Sequence, residues 1–230
     1  MELLRHEAAH ADAGDPAAEQ RARFVSVIDR NARRLLRLVG DLLFVAQVEA
    51  GRLALNHADV DLAAVAHESV EAAAPAATAA GVVLSADVRP LPPLRGDRDR
   101  LAQALDNLIS NALKFTPAGG RVTVGLRADA DRVVVDVQDT GTGIAGADQE
   151  RLFDRFYRTG DATQAAIPGV GLGLSIVRAI VEGHGGQVAL RSVVGQGTTF
   201  TIELPAPDRA VDDREPGAAG APRALRQAPR

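Results

Sequence analysis

Between residues 17 and 49 apolar side chains recur at alternating steps of four and three: Phe24, Ile28, Leu35, Leu38, Leu42 and Val45 share one line, and Asn31 fills the remaining place. This spacing predicts a long helix with a heptad seam. Val27, Leu36, Val39 and Leu43 widen the stripe, so the helix expects more neighbours than the single partner of a two-stranded zipper. Asn31 either fixes the register of that seam or stays partly exposed. Residues 1–11 read as a shorter helix and "DAGDP" as a turn, which predicts an antiparallel helical hairpin. Its first arm is too short to cover the seam. The remainder calls for a partner chain or for sequence upstream of Met1.

After Gly51 the periodicity becomes mixed. "GRLAL" is a strand candidate, residues 61–80 an Ala-rich helix, "GVVLSADV" a strand and "PLPPL" a stiff connector. A helix is expected over 97–115, then two alternating strands in "GGRVTVGLRADADRVVVDVQD". A glycine-studded stretch from Asp139 to Gly173 is interrupted by a helical "DQERLFDRFYR"; a helix over 174–183 and a final hairpin in "QVALRSVVGQGTTFTIELP" follow. Helices grouped with a mostly antiparallel sheet indicate an α/β (α+β) two-layer sandwich. Residues 206–230, rich in Pro, Ala, Gly and charge, read as a disordered tail.

Composition narrows the function classes. A net charge of −4 gives the chain no general pull toward nucleic acid or anionic membranes. The absence of cysteine excludes disulfides, thiolate nucleophiles and Cys-based metal sites. No apolar run reaches the roughly 20 residues of a membrane helix, and the N-terminus lacks a secretory-signal pattern. The one lysine, Lys114, stands close to Asn107 and Asn111, two of only four asparagines.

Asn107, Asn111 and Lys114 follow at steps of four and three, so they project from one side of the 97–115 helix. They form either a solvated polar stripe or a site: a carboxamide oxygen is a hard ligand suited to Mg²⁺, and an ammonium beside it neutralises phosphate. "VVVDVQDTGTGI" ends a strand at Asp139, followed by Gly141 and Gly143. The carboxylate either caps a tight turn or accepts the amino hydrogen of an adenine whose approach the glycines permit. "GTGIAG" also matches G-x-G-x-x-G, but no second strand with a terminal acid follows at dinucleotide-fold spacing. Gly169, Gly171 and Gly173 precede an amphipathic helix and supply either a flexible loop or a phosphate cradle at a helix N-terminus. "TGDATQAAIP" ahead of them reads as a mobile lid or an ordinary loop. "HEAAH" at residues 6–10 has the zincin spacing without a third ligand or an enclosing wall.

Taken in order, these segments resemble the C-terminal catalytic part of the bacterial sensor histidine kinases of two-component signalling, over residues 1–205. "LAQALDNLISNALKFTP" is similar to the family's asparagine box, "DTGTG" to its first glycine box, "RLFDRFYR" to its phenylalanine box, "GVGLGL" to its second glycine box and "GQGTTFTIELP" to its closing strands. The resemblance implies an ATP-binding domain over 51–205 behind a dimerisation and phosphotransfer hairpin over 1–50. It makes Asn111 the Mg²⁺ ligand, Asn107 a neighbour positioning phosphate or metal-bound water, and Lys114 a phosphate contact. Asp139 would hold the adenine amino group, with Gly141, Gly143 and Thr198 around the base. Gly169, Gly171 and Gly173 would hinge the lid and face the phosphates, and Phe153, Phe156 and Tyr157 would position it.

The reaction implied is transfer of the γ-phosphoryl group of ATP to a histidine, with relay to a response-regulator aspartate, in a cytoplasmic homodimer without its own membrane segment. The family's acceptor His precedes Glu or Asp and, five positions on, Pro. His6 precedes Glu7, but Ala11 stands where Pro is needed. The acceptor is therefore expected upstream of Met1, and His6 is expected not to be phosphorylated. The alternative is a nucleotide-dependent dimeric binding module without autokinase activity. A hydrolytic relative is disfavoured, because Asn107 occupies the place of its water-activating acid.

Overall fold

The structure, a computed structural model, describes residues 16–52, 54–129, 131–160 and 170–206. The first hairpin arm, the "HEAAH" stretch with His6, the expected lid beyond Gly160 together with Gly169, and nearly all of the expected tail lie outside the described residues. Helix α1 runs over Pro16–Glu49, in agreement with its heptad pattern. Then come β1 (Ala58–Val60), α2 (Leu62–Ala80), β2 (Val83–Val88), β3 (Leu94–Gly96), α3 (Arg98–Phe115), β4 (Arg121–Asp129), β5 (Arg132–Asp139), the single turn α4 (Gly146–Gln149), α5 (Gly173–Gly183), β6 (Gln187–Val193) and β7 (Gly197–Pro205).

Strands β2, β4, β5, β7 and β6 form one five-stranded sheet in that order; β2 and β4 are parallel and the remaining pairs antiparallel. Alternation along the strands decides which face is covered. Val122, Val124 and Leu126 of β4, Val133, Val135 and Val137 of β5, and Phe200, Ile202 and Leu204 of β7 are buried in one core. The other face carries polar pairs, Arg127 with Asp136 and Arg132 with Glu203. α3 lies between α2 and α5 and presents Leu101, Leu105, Leu108, Ile109 and Ala112 to the core. The result is the two-layer α/β sandwich expected.

Local chemistry sets the helix starts. Asp61 Oδ1 accepts the Ala64 amide at 3.0 Å to cap α2, and Asp97 Oδ1 accepts that of Arg100 at 3.1 Å to cap α3. His184, just past α5, accepts the Asp97 amide hydrogen on Nε2 at 2.8 Å and donates from Nδ1 to the Ile180 carbonyl at 2.7 Å. This neutral tautomer joins the end of α5 to the start of α3. Burial pushes its pKa down, helped by His57, whose ring lies 5.5 Å away.

Three sequence expectations are corrected. The described residues of "GRLAL" form no strand; the strand lies further on at β1, paired antiparallel with β3, so the "PLPPL" connector runs into a strand at its last residue. These pieces have three residues each, too short to show alternation. "DQERLFDRFYR" is helical only at its first two residues, because α4 stops at Gln149. Beyond it the chain makes separate turns, closed by Asp154 N–H to the Arg151 carbonyl at 2.8 Å, and the Phe156 N–H goes to the Gly171 carbonyl at 2.8 Å instead of into a helix.

Candidate functional site

At the end of β5 the core face changes from valine to carboxylate. Asp139 follows Val135 and Val137 on that face and is only 6% exposed. Its Oδ1 accepts two amide hydrogens, from Gly141 at 2.8 Å and Thr198 at 3.2 Å. Among the described residues its Oδ2 has no hydrogen-bond partner, yet no buried side-chain oxygen is unpaired there, so Oδ2 is the oxygen that faces outward. Burial pushes the carboxyl's pKa up, and the two amide bonds oppose that rise. The outcome is a recessed acceptor with one oxygen fixed and one presented.

The loop after Asp139 is held close on both sides. A Cβ at Gly141 would overlap the Phe115 carbonyl oxygen at the end of α3 and come within 2.8 Å of Asp139 Oδ1. Only glycine fits there. Thr142 N–H donates to that same carbonyl at 3.1 Å, which ties the loop to α3. Gly143, at φ 68°, lies against the Val193 backbone, and Gly197, at φ 103°, against that of Asp139. Thr198 is buried opposite Asp139 on β7, with its hydroxyl 2.8 Å from Ser192 Oγ.

A second cluster forms where α3 meets α5. Asn107 and Asn111, both half-buried, face the first residue of α5: a Cβ on Gly173 would lie 3.2 Å from Asn107 Oδ1 and 3.9 Å from Asn111 Nδ2. Among the described residues no side chain caps the α5 N-terminus, so its first amide hydrogens suit a further acceptor. Two carboxamides and an uncapped helix start thus converge, a donor set that fits a hard cation with its phosphates. Lys114 is exposed, one turn beyond Asn111 on α3.

Gly171, at φ 79°, sits beneath the aromatic segment: a Cβ there would be 2.6 Å from the Tyr157 carbonyl oxygen. Phe153 is buried, edge-on to Phe200 at 6.3 Å and under the Arg178 guanidinium at 4.3 Å. Phe156 adopts φ 60° and is exposed. The structure therefore brings together Asp139, Gly141, Gly143 and Thr198 in one group, and Asn107, Asn111 and Gly173 in another. Gly197, Ser192 and Gln149 also shape the site without having stood out in the sequence; the Gln149 side-chain amide donates to the carbonyls of Ile144 at 2.8 Å and Ser192 at 3.1 Å. Of these, only Gly197 carried a readable signal, a glycine beside a strand start in "GQGTTF".

The model of the family described as histidine kinase-, DNA gyrase B-, and HSP90-like ATPase matches residues 96–208. The chain is 39% identical to the sensor protein DivL of Caulobacter vibrioides over 89% of its own length and 25% of DivL. It is 35% identical to the sensor-like histidine kinase SenX3 of Mycobacterium tuberculosis over 94% of this chain and 52% of SenX3. It thus spans between a quarter and about half of these relatives. Among solved structures, the full-length ShkA complex with AMPPNP matches at a TM-score of 0.71 and 34% identity, covering 82% of this chain and 39% of ShkA. The mycobacterial sensor histidine kinase MprB matches at 0.58 and 31%, covering 66% of this chain and 98% of that structure. Among the described residues no helix is long and apolar enough to cross a membrane.

Proposed function

Because the chain belongs to the histidine kinase-, DNA gyrase B- and HSP90-like ATPases and carries the ATPase domain of a two-component sensor histidine kinase, we propose that it binds ATP with Mg²⁺ between α3, α5 and the β5 loop and serves in γ-phosphoryl transfer to a histidine. The observation that carries this reading is the convergence of Asn107 and Asn111 on the α5 N-terminus, together with a buried Asp139 that has one oxygen unbonded among the described residues.

When bound, ATP–Mg²⁺ supplies the phosphoryl group and the charge that screens it. The protein's own residues do the positioning. Asp139 Oδ2 accepts a hydrogen of the adenine amino group, Thr198 lies beside it, and Gly141 and Gly143 leave room for the base. Asn111 offers its carboxamide oxygen to the cation and Asn107 holds phosphate or a bound water. Lys114 and the amides of Gly171 and Gly173 balance phosphate charge. Gly169 belongs to the same lid hinge by resemblance. Phosphate would then pass to an aspartate of a response regulator, and residues 1–50 would pair two copies of the chain ahead of the ATP-binding part over 51–205.

Incubation with γ-labelled ATP and Mg²⁺ tests the transfer, with the phosphoacceptor hairpin of a related sensor kinase supplied in trans. The label should appear on histidine as an acid-labile phosphate, pass to a receiver domain, and be lost in Asn111→Ala. Nucleotide binding with no labelled histidine on either polypeptide would leave the binding-module reading in place of a kinase.

A further inference from the structure

Three polar residues interrupt the core face of the sheet in a single row. Asp139 of β5 pairs with Thr198 of β7, and Thr198 pairs with Ser192 of β6, so the three side chains share a face. The next rows inward are apolar, Val137 with Phe200 and Leu190, then Val135 with Ile202 and Val188. The polar row stands beside the proposed base pocket. Its hydrogen-bond polarity is determined by Ser192.

Ser192 Oγ has three neighbours: the Ile144 amide at 2.9 Å, the Gly197 carbonyl oxygen at 3.0 Å and Thr198 Oγ1 at 2.8 Å. A serine hydroxyl has one hydrogen and two lone pairs. Ile144 N–H must donate to it, and Gly197 O can only accept. One arrangement satisfies all three contacts: Ser192 donates to Gly197 O, and Thr198 donates to Ser192. The Thr198 hydrogen is then committed away from Asp139, and its oxygen keeps only lone pairs for anything else. Gln149 holds the same geometry from outside, bonding the carbonyls of Ile144 and Ser192.

From this polarity we infer that Ser192 is a positioning residue for base selection: by taking the Thr198 hydrogen it leaves Thr198 and Asp139 as two acceptors, which accept a 6-amino purine and reject a 6-oxo purine. The inference rests on the nucleotide reading of the site. An amino group brings two hydrogens to two acceptors, whereas a carbonyl oxygen meets lone pairs on both. Without Ser192 the Thr198 hydroxyl is free to turn and donate to a 6-oxo group.

Calorimetric titration of the unaltered chain, Ser192→Ala, Thr198→Val and the double variant, each with ATP–Mg²⁺ and with inosine triphosphate–Mg²⁺, tests this. Ser192→Ala should narrow the preference for ATP by about three- to ten-fold, in the range of one hydrogen bond. Thr198→Val should narrow it alike, and adding Ser192→Ala to Thr198→Val should move the ratio less than about two-fold. Equal weakening of both nucleotides in Ser192→Ala, or an undiminished effect of Ser192→Ala in the Thr198→Val background, overturns the inference while the nucleotide site stands. Failure of the unaltered chain to bind either nucleotide overturns both.

Discussion

Burial holds the Asp139 carboxyl above its ordinary pKa of 3.8, against the pull of the amide hydrogens of Gly141 and Thr198. A protonated carboxyl has lost acceptor capacity at the oxygen that carries the hydrogen, so ATP affinity should fall on acidification, beginning at a higher pH than an ordinary aspartate would give. Titrations between pH 8 and pH 4.5 should show that decline, and Asp139→Asn should bind weakly with a flatter profile. The opposite sign applies to His184, whose native pKa lies below 6.5 because burial disfavours its charged form. Between that lowered value and 6.5 the unfolded chain binds the extra proton, so the contribution of His184 is present above pH 6.5 and is lost as pH falls. Protonation would also cost the bond from the Asp97 amide to Nε2. Urea midpoints at pH 8 and pH 5.5 should differ less in His184→Gln than in the unaltered chain. Gly141→Ala should abolish ATP binding, since its Cβ would overlap the Phe115 carbonyl, and circular dichroism of the variant would reveal any loss of fold. Asp139 and the Asn107–Asn111 pair were visible in the sequence as polar types in apolar or patterned surroundings. Ser192 was not, because a serine in an alternating strand looks the same whether it faces water or a hydroxyl network.

Among the elements, α3 was readable almost to the residue: its apolar stripe is wide and Asp97 supplies a cap. β1 lies beyond the expected "GRLAL" and β3 was read as connector, because the placement of this short pair depends on long-range contacts, such as the Asn56 amide donating to Asp97 Oδ2 at 2.9 Å. The aromatic segment was misread as helix for a related reason. Its composition suits a helix, yet Phe153 is drawn to Phe200 and the Phe156 amide to Gly171. Helix α1 presents the clearest element-level test. Its C-terminal end is anchored, with Phe44 and Val45 buried, Arg100 over the Phe44 ring at 4.8 Å and Arg155 paired with Glu49. Upstream, Phe24, Ile28, Leu35, Leu42 and their neighbours are exposed in the single chain, with Leu36 reaching 73%. A stripe of this extent carries the proposal that two copies pair through it. Light scattering should report a dimer for the unaltered chain and a monomer for Leu35→Glu with Leu42→Glu, the far-ultraviolet spectrum of the sheet domain being retained. A dimer that survives both charges would remove α1 from the pairing role.

For the molecule as a whole, one covered sheet face and three helices place the ends of β5, α3 and α5 together, although Asp139, Asn111 and Gly173 are far apart in sequence. The class of the fold could be read from helices grouped with alternating strands. The parallel β2–β4 pair could not, since register and strand order depend on packing between segments with no local signature. We propose that this shared end grips ATP with Mg²⁺, and direct titration calorimetry tests it. Binding is expected at one site per chain, with Asn111→Ala and Asp139→Ala each weaker by at least about ten-fold, the loss of a charge-assisted contact. No heat on adding ATP–Mg²⁺, or both variants binding as the unaltered chain does, would contradict it.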